Sequence, residues 1–280
     1  MPTLTLNSWQ DEAADGTTTF ALRAYGVRLG LRTNDPTWLP RAAAVSYPPT
    51  WQPIPTTSKL DRLYTLRITP SKFTLYEDAE TALTSRSRRA VLEDLERRMK
   101  IYVAEMAPRR VFVHAGVVGW QGRAIVLPGS SYAGKTSLVA ALVKAGATYY
   151  SDEYAVLDAQ GRVHAYPQPL AMRKSGGSAR QYNTPASHFG GVVGTRPLPV
   201  GAVFVSQYQA GARWRPQSLS AGQTILALLE HTVPARRKPA VVLPTLSRAV
   251  VEAVAWRVKR GEAAEVAERF LQLAANPALR

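Results

Sequence analysis

Residues 124–137 read AIVLPGSSYAGKTS, and the rest of the chain is organised around them. The apolar run Ala124–Leu127 predicts a strand, and a helical pattern begins near Gly134. Between the two, residues 129–136 have the spacing G-x-x-x-x-G-K-[ST], in the strand–loop–helix order that this motif requires. The stretch therefore predicts a loop that binds phosphate groups.

The chemistry of such a loop needs each of these residue types. Glycine lets the backbone curl so that several N–H groups point at phosphate oxygens, and the following helix adds the positive end of its dipole. Lys135 is expected to reach the β- and γ-phosphates, and the Thr136 hydroxyl to ligate Mg²⁺. The residues predicted to surround the phosphates are Gly129, Ser130, Ser131, Tyr132, Ala133, Gly134, Lys135, Thr136 and Ser137.

The composition limits the class of protein. The chain has 280 residues, of which 46% are hydrophobic, which suits one sizeable domain or two small ones. It has no cysteine, which excludes disulfides and cysteine-ligated zinc and favours a reducing compartment. No apolar run is long enough to span a membrane, and the N-terminus lacks the pattern of a secretory signal. We therefore expect a cytoplasmic protein without a membrane partner.

The chain is strongly basic, with 35 Lys and Arg against 20 Asp and Glu and a formal net charge of +15. Such an excess can attract nucleic acid, anionic membranes, nucleotides or acidic peptides. No zinc-finger, helix-turn-helix or aromatic RNA-binding signature accompanies it, so nucleic acid is not the expected partner. Short basic clusters stand at 86–89, 97–100, 109–110 and 236–238.

Residues 1–108 are predicted to form a small α+β domain without obvious chemistry, on the basis of alternating and helical apolar patterns. Its expected elements are two strands over 17–32, loop over 33–61 with one short helix near 38–44, a hairpin over 63–78, and a helix from its cap Ser85 to Met106.

Residues 109–280 are predicted to form the domain that carries the phosphate-binding loop. Its expected elements are a hairpin over 110–128, a helix over 135–145, strands at 148–150, 154–157 and 163–166, a long mobile loop over 174–195, strands at 200–207 and 214–219, a helix from its cap Ser220 to about His231, a helix at 245–254, a strand at 255–258, and a helix over 262–273.

Two adjacent carboxylates, Asp152 and Glu153, end the strand that follows the loop helix. In proteins with this loop, a carboxylate at a strand end binds Mg²⁺ directly or through water. A second carboxylate beside it could accept the proton of an attacking hydroxyl. Neighbours on a regular strand point to opposite faces, so both acids serve one site only at a bend or a strand end. The residues alone leave open which acid has which role, and whether one of them is only a solvated turn residue.

His114 lies within the apolar strand pattern of residues 111–116. Taken alone, a histidine in such a strand is more often a hydrogen-bonded core residue than a catalyst. The other histidines show no metal-ligand spacing, and we expect them to be structural or exposed: His164, His188 and His231.

The stretch from His114 to Glu153 resembles the catalytic domain of HPr kinase/phosphorylase and its shorter relatives. That family has a histidine in a strand, a phosphate-binding loop, a helix and then a carboxylate pair; here VHAG, GSSYAGKT and SDE stand at similar separations. A weaker resemblance extends towards the C-terminus, through the segments PLPVGAVFVSQY and SAGQTILALLEHT. The resemblance implies an α/β P-loop kinase fold of HPr kinase / phosphoenolpyruvate carboxykinase type, a mixed sheet with helices, with the small α+β domain before it.

This resemblance also implies a function, the transfer of the γ-phosphoryl group of ATP to a serine hydroxyl with Mg²⁺. It places His114 near the phosphates, makes Lys135 the phosphate-binding lysine, and makes Thr136 a metal ligand where the family usually has serine. Glu153 falls where the family has the aspartate that takes the hydroxyl proton, and Asp152 matches its acidic neighbour and would share the metal. Because glutamate is one methylene longer, the base could be displaced or reassigned to Asp152.

The sequence also departs from the bifunctional members of this family. Their downstream signature contains a glutamate, whereas YPQPLAMRKSGGSAR has no acid, so we do not expect the reverse phosphorolysis. Arg173 and Lys174 in this segment could instead meet phosphate or substrate. The layout is similar to short HPr-kinase-like proteins of peptide natural-product pathways, including kinases of lasso precursor peptides. The implied partner is a peptide or protein with an acceptor serine, for which the basic charge is compatible with an acidic segment, and the often multimeric family allows a homo-oligomer.

Two other classes of function remain open. A non-catalytic nucleotide-binding module would need the loop but no working base. A small-molecule kinase would place a deep closed pocket beside Glu153 in place of an open groove. No residue identified in the sequence recognises the nucleobase, so ATP and GTP are not distinguished.

Overall fold

The computed structural model describes residues 18–38, 51–130, 133–173 and 181–276. These residues form an α/β protein with mixed sheets and five α-helices. Contacts between Cα atoms divide the chain into two compact units, Met1–Arg109 and Arg110–Arg280. Among the described residues, no helix is long and apolar enough to cross a membrane.

The first unit is a six-stranded sheet with one helix packed against it. The strands are β1 (Thr18–Ala24), β2 (Val27–Thr33), β3 (Gln52–Ile54), β4 (Arg62–Ile68), β5 (Phe73–Glu77) and β6 (Glu80–Ser85), in the order β3-β1-β2-β4-β5-β6, and the helix is α1 (Arg88–Met106). The strands predicted on either side of Gly26 and the hairpin of β4 and β5 are confirmed.

Three predictions for this unit need correction. Ser85 does not cap the helix, because it ends β6, which pairs with β5; Ser87 caps α1, and its side chain accepts the Ala90 N–H at 3.3 Å. The short strands β3 and β6 were not predicted, since they are polar edge strands whose pairing partner rather than their own pattern decides their conformation. The short helix expected near 38–44 lies largely outside the described residues, and 36–38 form a 3₁₀ turn.

The second unit is built on one large mixed sheet. Its strands are β7 (Val111–Trp120), β8 (Arg123–Pro128), β9 (Thr148–Ser151), β10 (Tyr154–Leu157), β11 (Val163–His164), β14 (Val200–Tyr208), β15 (Gln217–Ser218) and β16 (Val254–Arg260). The order is β11-β10-β7-β8-β14-β16-β15, and β9 also pairs with β7. β8, β14 and β16 are parallel, whereas β7 is antiparallel to β8, so β8 has one parallel and one antiparallel neighbour.

Helices cover both faces of this sheet. Successive side chains of a strand point to opposite faces, and the central strands carry apolar residues on both of them. On one face, Ile125 and Phe204 belong to the hydrophobic cluster that includes α2 (Lys135–Lys144) and α5 (Ala263–Ala275). On the other face, Val126 and Val203 pack with residues of α3 (Ala221–Leu229) and α4 (Pro239–Val250). The loop between β8 and α2 therefore begins at the carboxyl end of a central strand, and both of the elements that flank it are packed in the core.

Several boundaries in this unit differ from the prediction. α4 begins at Pro239 and not near Thr245. Proline suits the first position of a helix, where its missing N–H would have no intrahelical partner, and the second proline, Pro244, lies inside the helix and costs it one hydrogen bond. The segment expected as a long mobile loop contains β13 (Gln181–Thr184), which pairs with β12 (Leu170–Arg173), and a 3₁₀ turn at Ala186–Phe189; residues 174–180 lie outside the described part. The strand expected at 214–219 is limited to β15. The helix with its Ser220 cap is confirmed, including a capping box with Gln223.

Candidate active site

The predicted phosphate-binding loop, residues 129–136, leaves β8 at Gly129 and enters α2 at Gly134. Gly134 is the N-cap of α2 and has a φ of 78°, a conformation that only glycine adopts without strain. The first residue of the loop is tied to β7, because the Gly129 N–H donates to the His114 carbonyl at 3.3 Å. Ser131 and Tyr132 lie outside the described residues, while Ser137 is exposed on the first turn of α2. The predicted strand, loop and helix therefore follow one another as the motif requires.

Lys135 lies folded over this loop. Its side-chain Nζ donates to the carbonyls of Gly129 and Ser130, both at 2.8 Å, and the residue is only 8% exposed. Burial lowers the pKa of Lys135, and the negative charges of Asp152 and Glu153 partly offset this effect. An anion bound by the loop could therefore accept the hydrogen bonds that the Lys135 ammonium group now donates to these two carbonyls.

Asp152 and Glu153 occupy a bend between β9 and β10, as the prediction required for both to serve one site. The bend is stabilised by the buried Ser151, whose hydroxyl oxygen accepts the N–H groups of Glu153 at 3.1 Å and of Tyr154 at 2.9 Å. The Glu153 carbonyl accepts the Ala115 N–H of β7 at 3.2 Å. Both carboxylates act electrostatically on Lys135, so the structure brings the acid pair and the loop together.

Asp152 has a strongly perturbed acidity. Burial is the main cause that raises its pKa to about 7, and the charge of Glu153 adds to it. A hydrogen bond with the Thr136 side chain, the charge of Lys135 and a hydrogen bond with the Ala171 backbone act in the opposite direction. Its Oδ1 atom is buried and has no hydrogen-bond partner among the described residues. A buried, unpartnered carboxylate oxygen costs about 1–3 kcal/mol and marks a position that a ligand can satisfy.

His114 is a neutral member of the site. It pairs with Tyr154 across β7 and β10, and its backbone N–H donates to the His231 carbonyl at 2.7 Å. Burial, the nearby charge of Lys135 and that of His231 lower the pKa of His114 to about 4. At neutral pH the imidazole therefore carries no charge, and it can donate one hydrogen bond and accept another.

Three residues near the loop were not assigned to it from the sequence. His231 was expected to be structural or exposed, but it lies beside His114, and burial lowers its pKa while Glu230 raises it and Lys135 lowers it. Arg260 donates from Nη2 to the Gly134 carbonyl at 2.8 Å. Tyr208 lies next to Arg260 and to Gly134. No local pattern signals these contacts, because each joins segments that are distant in sequence.

The remaining candidates have weaker links to the site. Arg173 ends β12, a strand whose Ala171 backbone bonds to Asp152, but nothing is described of the Arg173 side chain, and Lys174 lies outside the described residues. His164 bonds to Asp158 at 2.8 Å, and His188 lies in the 3₁₀ turn next to Phe189.

The donor set around the loop fits a magnesium ion that keeps several waters. Among the described residues, no group of three or more His, Asp or Glu side chains is arranged to bind a metal. Mg²⁺ is commonly bound through one or two protein oxygens together with substrate phosphates. The Thr136 hydroxyl and Oδ1 of Asp152, which has no hydrogen-bond partner in the part of the chain that the structure describes, are oxygen atoms of this kind.

No protein-family model matches the chain, and no curated protein matches it significantly.

The raised pKa of Asp152 predicts how pH changes the stability of the protein. The folded state keeps a proton on Asp152 up to about pH 7, whereas an unfolded aspartate loses it near 3.9. The free energy of unfolding therefore falls as pH rises between these values, and the loss is complete above about pH 7. We expect Asp152→Asn to have a free energy of unfolding about 1–3 kcal/mol higher than wild type at pH 8, and therefore a higher unfolding temperature, and to show little of this gain at pH 4.

Asp158→Asn is the matched control for this thermal-denaturation series. Burial raises the pKa of Asp158, but hydrogen bonds from His164, Arg162 and Gln160 outweigh it and keep the pKa below its usual value. This variant should therefore lose stability at pH 8, the opposite sign. An Asp152→Asn protein that is destabilised equally at pH 4 and pH 8 would contradict the assignment.

Proposed function

We propose that this protein is an ATP- and Mg²⁺-dependent kinase that transfers the γ-phosphoryl group to a serine hydroxyl of a peptide or protein in the cytoplasm. The observation that carries the proposal is the acid bend at Asp152 and Glu153, whose two carboxylates act electrostatically on Lys135 of the proposed phosphate-binding loop. An anion-binding loop with a carboxylate opposite its lysine is the arrangement that phosphoryl transfer to a hydroxyl requires.

The topology of the second unit supports a P-loop kinase fold of the HPr kinase / phosphoenolpyruvate carboxykinase type. In the widespread parallel-sheet NTPases, the strand before the loop lies in a parallel sheet. Here β8 pairs in parallel with β14 and antiparallel with β7, and β7 carries His114. The same β7 pairs with β9 and β10 at the acid bend, so one long strand aligns the histidine, the acids and the loop.

In the proposed transfer, separate groups bind the phosphates, accept the proton and bind the metal. Lys135 and the loop N–H groups bind the phosphate oxygens and stabilise the charge of the leaving ADP. The carboxylate of Glu153 accepts the proton of the serine hydroxyl. At the same time the serine oxygen bonds to the γ-phosphorus, and the bond between the γ-phosphorus and the oxygen that bridges it to the β-phosphate breaks. Thr136 and Asp152 would bind Mg²⁺, which supplies positive charge to the triphosphate when bound.

Asp152 suits the metal-binding role better than the role of base. Its buried Oδ1 and its hydrogen bond with Thr136 place it next to the other proposed metal ligand. A cation beside it would stabilise its charged form, which the buried site otherwise disfavours. His114, neutral at the working pH, would provide an uncharged hydrogen bond near the phosphates.

We place the acceptor peptide beside a basic segment, Arg236–Lys238. Residues 231–233 run beside β7: the His114 N–H donates to His231, and the Val233 N–H donates to the Phe112 carbonyl at 2.9 Å. The turn that follows exposes Arg236 and Arg237. This segment supports an acidic stretch next to the acceptor serine.

Reversing one charge tests the basic segment. We expect Arg236→Glu to raise the KM for an acidic serine peptide about three- to tenfold with little change in kcat, because the lost attraction acts equally on the ground state and the transition state. The increase should shrink as salt is added. Lys144→Glu, at the far end of α2 from the loop, is the matched control. Equal KM values for Arg236→Glu and wild type would remove the segment from the acceptor site.

The direct test of the proposed activity is incubation with ATP labelled at the γ-phosphate, Mg²⁺ and serine peptides of acidic and neutral composition. The proposal expects phosphoserine in an acidic peptide and none in the same peptide with its serine replaced by alanine. Label that stays in ATP with every acceptor, or that enters peptides without serine equally well, would contradict it.

A further inference from the structure

The two sides of the phosphate-binding loop differ in chemistry. On one side of β8 in the sheet lies β7, with the acid bend, whose carboxylates act on Lys135. On the other side lie β14 and then β16, which run parallel to β8 and end beside the loop. If the terminal phosphate of a triphosphate faces the acids, its nucleoside end lies towards the ends of β14 and β16. Ligands of open α/β sheets bind at these carboxyl ends.

The last residues of β14 and β16 form a pair at that position. Tyr208 lies opposite Arg260 in the parallel register. Arg260 is only 2% exposed, donates from Nη2 to the Gly134 carbonyl at 2.8 Å, and has its Cζ 5.7 Å from the centre of the Tyr208 ring. A Cβ atom on Gly134 would lie 3.8 Å from the Tyr208 Cβ. The tyrosine is therefore adjacent to the last glycine of the loop.

The Tyr208 ring is fixed in place but remains accessible. Its hydroxyl donates to Oε1 of Glu262 at 2.6 Å, and the guanidinium of Arg260 lies near the ring. The residue is nevertheless 45% exposed. An aromatic ring held by its hydroxyl and by a cation, yet open to solvent, is a preorganised surface for stacking a flat ligand.

Arg260 has an unused hydrogen-bond donor, among the described residues, on the same side of the loop as Tyr208. Its Nε donor is buried and has no hydrogen-bond partner among the described residues. Nη1 donates to the Gly261 carbonyl at 3.0 Å and Nη2 to Gly134, so the protein uses only part of the donor set of this guanidinium. A polar ligand atom bound at this flank would find an unused donor.

We propose that Tyr208 is the stacking platform for the nucleobase of the bound nucleotide. This inference rests on the proposed function, because it needs a nucleotide whose phosphates occupy the loop. Every base has a face that can stack on an aromatic ring, whereas stacking does not distinguish the hydrogen-bonding edges of bases. The platform therefore predicts that ATP and GTP both gain affinity over the phosphate tail alone.

The test compares ATP with inorganic tripolyphosphate, which carries the phosphates without a base. Both ligands are titrated with Mg²⁺ into wild type, Tyr208→Ala and Tyr208→Phe. We expect Tyr208→Ala to weaken ATP binding about five- to a hundredfold and to leave tripolyphosphate binding unchanged. Tyr208→Phe keeps the ring and should retain most of the ATP affinity, and thermal denaturation of each variant checks that it is folded.

The possible results separate the platform from the loop. If Tyr208→Ala weakens both ligands equally, the ring only supports the shape of the loop and the platform is wrong. The platform is also wrong if Tyr208→Ala binds ATP as tightly as wild type does, while the loop assignment stands. If wild type binds neither ligand, both the platform and the proposed function are overturned.

Discussion

Replacing Lys135 by alanine is expected to lower phosphoryl transfer by at least about 10²-fold and to weaken MgATP binding at least about tenfold. The Lys135 Nζ now contacts two loop carbonyls at 2.8 Å, and phosphate oxygens would take their place when nucleotide binds. A hydrogen bond between a charged donor and a charged acceptor contributes about 1.5–3 kcal/mol, and a cation aimed at the leaving phosphates adds stabilisation in the transition state.

Lys144→Ala is the matched control for this experiment. It makes the same substitution at the other end of the same helix, where the side chain is exposed. Calorimetric titration with MgATP and the labelled-peptide assay should give wild-type values for Lys144→Ala and large losses for Lys135→Ala. Equal transfer by the two variants would remove Lys135 from the site.

Changing Glu153 to glutamine is expected to separate binding from chemistry. Glutamine keeps the size of the side chain but cannot accept the serine proton, so kcat should fall about 10²- to 10⁴-fold. The affinity for MgATP should change little, because Lys135 and the loop remain. Asp152→Asn should behave differently and weaken the dependence of nucleotide binding on Mg²⁺, since Asp152 is the proposed metal ligand.

These two variants also test the alternative of a non-catalytic module and the roles of the two acids. A non-catalytic nucleotide-binding module would tolerate Glu153→Gln and Asp152→Asn without loss of function. If Asp152→Asn abolishes transfer while Glu153→Gln is as active as wild type, the base is Asp152 and the roles proposed for the two acids are exchanged. Single-turnover rates with bound ATP measure the chemical step and separate it from product release.

The sequence predicts the loop and the acid pair because their signals are local. The glycine spacing around residues 129–136 and the apolar strand before it lie within a few residues of one another, and the structure places strand, loop and helix as predicted. The location of Asp152 and Glu153 at a strand end was also predicted. The contact that stabilises the bend was not, because the Ser151 hydroxyl oxygen accepts two successive N–H groups only once the chain has turned.

The rest of the site depends on tertiary contacts that no local pattern contains. Arg260 meets Gly134 from 126 positions away, after β16 has paired with β14. The pKa of Asp152 is raised mainly by burial, a property of the folded unit. The helix expected at 245–254 is present as α4 with its start and its end shifted towards the N-terminus, because Pro244 hid a first turn that packs in the core. Tertiary packing overrides local propensity in each case.

The most direct measurement of the central claim is a crystal structure with Mg²⁺ and a non-hydrolysable ATP analogue. The account predicts the triphosphate wrapped by residues 129–136, with Lys135 released from the two carbonyls and the Glu153 carboxylate facing the γ-phosphate. A nucleotide bound elsewhere, or a loop occupied while both acids point away from it, would contradict the account.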